Sequence, residues 1–204
     1  MDYFLEHYYK IEEEAEQKLA EFAVSKTDKE LFEELCFCVF AANSSAKMGL
    51  LAVNLLKDVL HEGSFDLYLS KVKGKVRFFN VRSRYLAKNF EFVKKQGGIN
   101  NILNKFEDKY ELRLFLKKNI LGFGMKEASH FLRNIGFRGF AIIDKHVLNV
   151  FYELGYIKSN KSPRNEEEYI KLEKKIVDFA KKHELDVDVL DLAFWSFKTG
   201  EIIK

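Results

Sequence analysis

The chain has 204 residues, of which 47% are hydrophobic and 15% aromatic, with 20 Phe and 9 Tyr. That composition supports a sizeable core and excludes a disordered protein. The formal charge of +3 is compatible with a polyanionic partner but too small to specify one, so any basic face must come from arrangement. No apolar run reaches the roughly 18 residues of a membrane span, and Met1-Asp2-Tyr3 does not begin a signal peptide. The expectation is a soluble cytoplasmic protein with no membrane association.

The apolar residues recur at helical spacing almost throughout. From Asp28, read as a cap, Leu31, Phe32, Leu35, Val39 and Phe40 make one stripe. Leu50, Val53, Leu56, Val59 and Leu60 make another. Cys36 and Cys38 are the only cysteines. Two apart on a helix they face nearly opposite ways, which argues against a shared metal or a disulfide and fits a reducing compartment.

Further helices are predicted over 80–96, 111–119, 125–135, 145–154, 165–183 and 188–198. Ala141-Ile142-Ile143 is the best candidate strand and is too short to count. Ser162-Pro163 reads as an N-cap with proline at the first helical position. Gly97-Gly98, Gly136, Gly139 and Gly200 stand where stripes end. No repeat or flexible linker divides the chain. The predicted architecture is all-α: a single unit over 1–204, a two-lobed helical globule with a catalytic cleft between the lobes.

The most informative segment is Leu121-Gly122-Phe123-Gly124-Met125-Lys126, a Gly-hydrophobic-Gly turn inside a helix–hairpin–helix at about 112–136. Glycines at Gly122 and Gly124 permit φ > 0 and let backbone amides approach a phosphate beside a helix amino terminus. The same turn also suits an ordinary αα-hairpin. On the second helix Ala128, Phe131, Leu132 and Ile135 form the expected buried face. Lys126, Ser129, His130 and Arg133 form the opposite one. That polar face could meet DNA or merely solvent.

Lys126 lies in the first turn, where the helix dipole disfavours a cation by about 0.3–1 kcal/mol. An amine misplaced for stability is usable as a nucleophile. Asp144, 18 positions later, precedes Lys145-His146-Val147-Leu148 and reads as an N-cap that could also act in chemistry. An amine and a carboxylate at successive helix heads suit imine chemistry on a DNA sugar. Asn43-Ser44-Ser45 with Lys47 interrupts an apolar stretch, either as a turn or as a lesion or phosphate contact. Trp195, the only tryptophan, is either a core aromatic or a face for an extruded base.

The runs Leu121 to Asn134 and Ala141 to Leu148 together resemble the helix–hairpin–helix DNA glycosylases, and more narrowly the archaeal and bacterial type-2 8-oxoguanine DNA glycosylase/AP lyases. The resemblance extends to Leu35-Cys36-Phe37-Cys38 with Ala42-Asn43, to Arg77-Phe78, and to Leu190-Asp191-Leu192 with Trp195. It implies Lys126 as the nucleophile and Asp144 as the assisting carboxylate. Phe78 and Trp195 would sandwich the flipped base, with Asn43 nearby and the terminal Lys204 helping to recognise it. Gly122, Gly124, Ser129, His130, Arg133 and Lys47 would bind DNA. The implied partner is double-stranded DNA containing 8-oxoguanine, and the chemistry calls for no metal or cofactor. Without an exposed heptad seam, a monomer is expected. The same scaffold could act on another oxidised base, or serve as a non-catalytic DNA-binding module.

Overall fold

The computed structural model describes residues 2–202, leaving aside the side chain of Asp2. Among the described residues the chain forms α-helices and one short 3-10 turn, Leu60–Glu62, with no strand. It divides into two compact units. The first takes residues up to Val24 together with those from Leu132 onward, and the second is Ser25–Phe131.

The second unit contains α2 (Asp28–Ala41), α3 (Ala46–Leu56), α4 (Phe65–Val72), α5 (Phe79–Lys95), α6 (Ile99–Leu103), α7 (Lys109–Asn119) and most of α8 (Met125–Asn134). Helix α2 is buried along almost its whole length from Leu31 to Phe40, because α3, α5 and α6 all pack on it. A helix apolar on every side belongs at the centre of its unit. Gly49 lets α3 come close: a Cβ there would sit 2.7 Å from the Phe37 ring.

The first unit contains α1 (Asp2–Phe22), α9 (Lys145–Glu153), α10 (Glu166–Lys182) and α11 (Val187–Thr199), with the last residues of α8. Phe4, Tyr8, Ile11, Ala15, Leu19 and Phe22 are buried. They follow one another at steps of three and four, the stripe of a helix lying on a core. Against α11, Phe4 stacks on Phe194 with ring centroids 4.8 Å apart, and the Asp186 amide donates to the Tyr8 hydroxyl at 3.0 Å.

Two helix starts differ from the sequence expectation. Thr27 caps α2, not Asp28, and forms a capping box with Glu30; the Asp28 carboxylate instead accepts from the Asn100 amide at 2.7 Å. Asn165 caps α10 by accepting from the Glu168 amide at 2.9 Å, so Ser162-Pro163 lies ahead of the helix. In both cases two polar residues compete, and the one whose oxygen reaches the N3 amide wins.

Candidate active site

The hairpin before α8 is fixed from behind by one side chain. Asn89, buried on α5, donates through Nδ2 to the Leu121 carbonyl at 3.0 Å and accepts from the Leu121 amide at 2.8 Å. Gly122 follows with φ 91°, and a Cβ there would meet the Tyr85 ring at 3.2 Å. Phe123 turns into the core, 5.8 Å from Phe131. Gly124 departs from expectation: it is not among the positive-φ residues. It serves as the helix cap, its carbonyl accepting from the Ala128 amide at 3.0 Å and its amide donating to Glu127 Oε2 at 3.1 Å. Glu127 thus supplies the carboxylate half of a capping box.

Lys126 stands in that first turn with its side chain 32% exposed, and Nζ lies 3.9 Å from Glu127 Oε1. This is the outer edge of an ion pair, and Glu127's other oxygen is engaged by Gly124. The amine is therefore accessible and only loosely held. Sequence reasoning missed Glu127, although Gly-x-x-Glu at a helix start is a readable signal.

Asn43 and Phe78 come together in the same unit. Both have left-handed backbones, φ 49° and 55°, where a non-glycine residue is strained. Arg77 bridges them: its Nη1 donates to the Asn43 carbonyl at 3.4 Å, and its guanidinium lies 4.7 Å from the Phe78 ring centre. Arg82, buried, supports the ring from 5.2 Å and donates to the carbonyls of Phe40, at 2.7 Å, and Ala42. Burial lowers the Arg82 pKa, Arg77 lowers it further, and Glu127 raises it. Phe78 itself is 50% exposed, an aromatic face held outward. Lys47 is exposed in the first turn of α3, whose cap is Ser45.

In the first unit, Asp144 caps α9, its Oδ1 accepting from the amides of His146 at 2.7 Å and Val147 at 3.0 Å. The run leading to it has no sheet partner among the described residues, and four of its amides go to side chains. Gly139 donates to Asp188 at 2.8 Å, Ala141 to Glu173 at 3.4 Å, Ile142 to Asp191 at 3.1 Å, and Ile143 to the Tyr169 hydroxyl at 3.2 Å. Tyr169 in turn donates to the Ala141 carbonyl at 3.0 Å. Buried amides are thereby satisfied without a strand neighbour. Trp195 on α11 is half-buried, its ring 6.1 Å from that of His146, so the helix head that carries Asp144 also touches the tryptophan.

Two of the expected DNA contacts are corrected. Ser129 is 0% and Arg133 2% exposed, so their side chains offer nothing to a nucleic acid. Ser129 donates to the Met125 carbonyl at 2.9 Å and accepts from Arg113 at 3.1 Å. Arg133 lies 3.9 Å from Asp191 and 5.3 Å over the Phe22 ring. A polar side chain that another element packs against is buried like an apolar one, which a helical wheel cannot foresee. His130 is part-exposed, its ring 5.5 Å from Phe37. Gly122 is exposed and Gly124 part-exposed. Lys204 lies outside the described residues.

A family model described as 8-oxoguanine DNA glycosylase matches residues 13–185. The chain belongs to the 8-oxoguanine DNA glycosylase family. Within it, the 8-oxoguanine DNA glycosylase/AP lyase of Thermoplasma volcanium is 41% identical over 197 residues, covering 92% of this chain and 90% of the relative. That of Methanocaldococcus jannaschii is 35% identical, covering 88% and 86%. A crystal structure of the Methanocaldococcus jannaschii 8-oxoguanine glycosylase/lyase with a 15mer DNA containing 8-oxoguanine superposes with a TM-score of 0.91 at 30% identity, covering both chains fully. The 8-oxoguanine DNA glycosylase of Thermotoga maritima gives 0.88 at 30% identity, again over both whole chains. The all-helical architecture is thus the family's own.

Proposed function

We propose that this protein removes 8-oxoguanine from double-stranded DNA and then cuts the strand at the abasic site, with Lys126 as nucleophile and Asp144 as its carboxylate partner in the chemistry. The observation that carries the residue assignment is the placement of Lys126: a part-exposed amine in the first turn of a helix, where a structural lysine is disfavoured. Family membership and the lesion-containing DNA in the Methanocaldococcus jannaschii structure support the substrate.

The damaged nucleotide leaves the stack at a cost of a few kcal/mol. Phe78 and Trp195 offer the aromatic faces that hold it, and Lys204, at the end of the sequence, contributes to its recognition. The Lys126 amine, neutral, bonds to C1′ as the C1′–N9 bond breaks and the base departs. Asp144, ionised, stabilises the positive charge that develops on the sugar. The sugar ring opens to an imine, a proton leaves C2′, and the 3′ phosphate departs by β-elimination. Water then releases Lys126. The backbone of Gly122, an exposed residue, and the side chains of Lys47 and His130 are the proposed contacts to the DNA backbone. Discrimination from guanine requires an acceptor facing the N7 proton that only the oxidised base carries.

Borohydride trapping on an 8-oxoguanine duplex tests the assignment. Lys126→Gln should bind the duplex and give no covalent adduct; an adduct in that variant refutes the nucleophile. Asp144→Asn should slow both base release and trapping by at least about a hundredfold. A panel of damaged duplexes identifies the preferred lesion. A wild-type protein that binds DNA but traps nothing on any of them would be a binding module instead.

A further inference from the structure

We propose that Asp191 is a positioning residue for Asp144, acting through the irregular run 139–144 and through a buried charge system that the two carboxyls share with Arg133. This rests on the role given to Asp144 above. Asp191 reaches across from α11 to take the Ile142 amide at 3.1 Å, two residues ahead of Asp144. Its other oxygen lies 3.9 Å from Arg133 Nη2. Arg133 Nε and Nη1 are buried without a hydrogen-bond partner among the described residues. The guanidinium charge is therefore met by the Asp191 carboxyl, the Phe22 ring and the field of Asp188. A charge enclosed with so few hydrogen bonds makes sense where its field, rather than its bonds, is the useful quantity.

The field reaches Asp144. Burial pushes the Asp191 carboxyl up to about 7; Arg133 pulls it down, and the charges of Asp144 and Asp188 push it up. The interaction is mutual, so an ionised Asp191 makes the potential at Asp144 more negative. Around this pair, α8 supplies Arg133 and the start of α9 supplies Asp144 and His146. Helix α10 supplies Glu173 on the neighbouring Ala141 amide. Asp188, on α11 itself, is also pushed up by burial and is paired with Arg138. Arg138 is further engaged by Asp186 and by Glu16 of α1, while His7 of α1 meets Ser196 further along α11. Arg133, Asp144 and Asp188 are the charged groups that act on Asp191 directly.

Asp191→Asn keeps an acceptor for Ile142 and removes the titration; Asp191→Leu removes both. Single-turnover release of 8-oxoguanine is measured from about pH 5.5 to 9, with the duplex dissociation constant at each pH. The ratio of wild-type to Asp191→Asn rates should change by roughly three- to tenfold through an inflection near pH 7. Duplex affinity should stay unchanged, and the inflection should vanish in an Asp144→Asn background. Asp191→Leu should lose about tenfold or more in rate at unchanged affinity; if it fails to fold, Asp191→Asn decides. Superimposable pH profiles, or an inflection that persists without Asp144, overturn the proposal. The coupling is also read without catalysis, from thermal stability against pH for wild type, both Asn variants and their double. Non-additive shifts above pH 7 support it and additive ones overturn it. A wild type that releases no base would sink the functional reading while this second measurement still judges the charge coupling.

Discussion

Lys126 and Asp144 each sit at the start of a helix, α8 and α9, and the chain reaches those two places by different means. The hairpin before Lys126 is held by neutral contacts. Asn89 bonds both polar groups of Leu121, and Gly122 takes the left-handed turn. Among the described residues one carboxylate is used there, Glu127, on the Gly124 amide. The run before Asp144 is held by a row of acids, Asp188, Glu173 and Asp191, with Tyr169 completing it. One approach depends on backbone conformation and amides, the other on buried charge. The first should respond to substitution and the second to pH as well.

Three measurements sharpen that contrast. The largest effect belongs to Asp191. Its carboxyl rises from an ordinary 3.8 to about 7 in the fold, so the folded state holds a proton that the unfolded chain has released. Its contribution to stability is complete below about pH 4 and is lost as the pH climbs to about 7. Asparagine does not titrate. The stability of wild type relative to Asp191→Asn should therefore fall by roughly 4 kcal/mol across that window, at about 1.4 kcal/mol per unit of pKa. Urea unfolding at a series of pH values measures it; a flat difference refutes the buried-charge account of this run.

Asn89→Ala comes next. It strands both the amide and the carbonyl of Leu121 and should cost roughly 1–3 kcal/mol, with no pH dependence between about 4 and 8. A pH-dependent loss would erase the distinction between the two approaches. The smallest pair is Gly122→Ala and Gly124→Ala. The first forces φ 91° on an alanine and brings its methyl to 3.2 Å from Tyr85, for about 1–2 kcal/mol. The second faces only the flexible end of Glu127 at 3.1 Å and should cost less than about 1 kcal/mol. Equal losses in thermal unfolding would mean that both glycines serve the turn in the same way.

The parts of this site that are readable in the sequence are local ones. The hairpin, the place of Lys126 in a first turn, and the capping role of Asp144 each follow from residues within four positions of one another. So do the boundaries of α5 and α7 to α11, which fall within about two residues of the spacing-based expectation. What cannot be read comes from pairs distant along the chain. Ser129 is buried because Arg113 reaches it, Arg133 because Asp191 and Phe22 enclose it, and Leu121 is fixed by Asn89 from α5. A helical wheel separates polar from apolar residues, but it does not tell a solvated polar stripe from one packed against another helix. Arg82 is invisible for the same reason: its acceptors, the carbonyls of Phe40 and Ala42, lie some forty residues earlier. Ala141-Ile142-Ile143 is no strand, as its shortness implies, yet nothing local announces that side chains replace the missing sheet.

That replacement has a consequence for the life of the protein in a crowded cell. Phe140, Ala141, Ile142 and Ile143 are all buried and form a short, uncharged, β-prone tract outside any helix, sheathed by carboxylates and one phenol. A local opening that withdraws α11 would uncover greasy side chains and unpaired amides at once, the combination that seeds intermolecular sheets. The acids that hold the approach to Asp144 thus also keep this tract's amides paired.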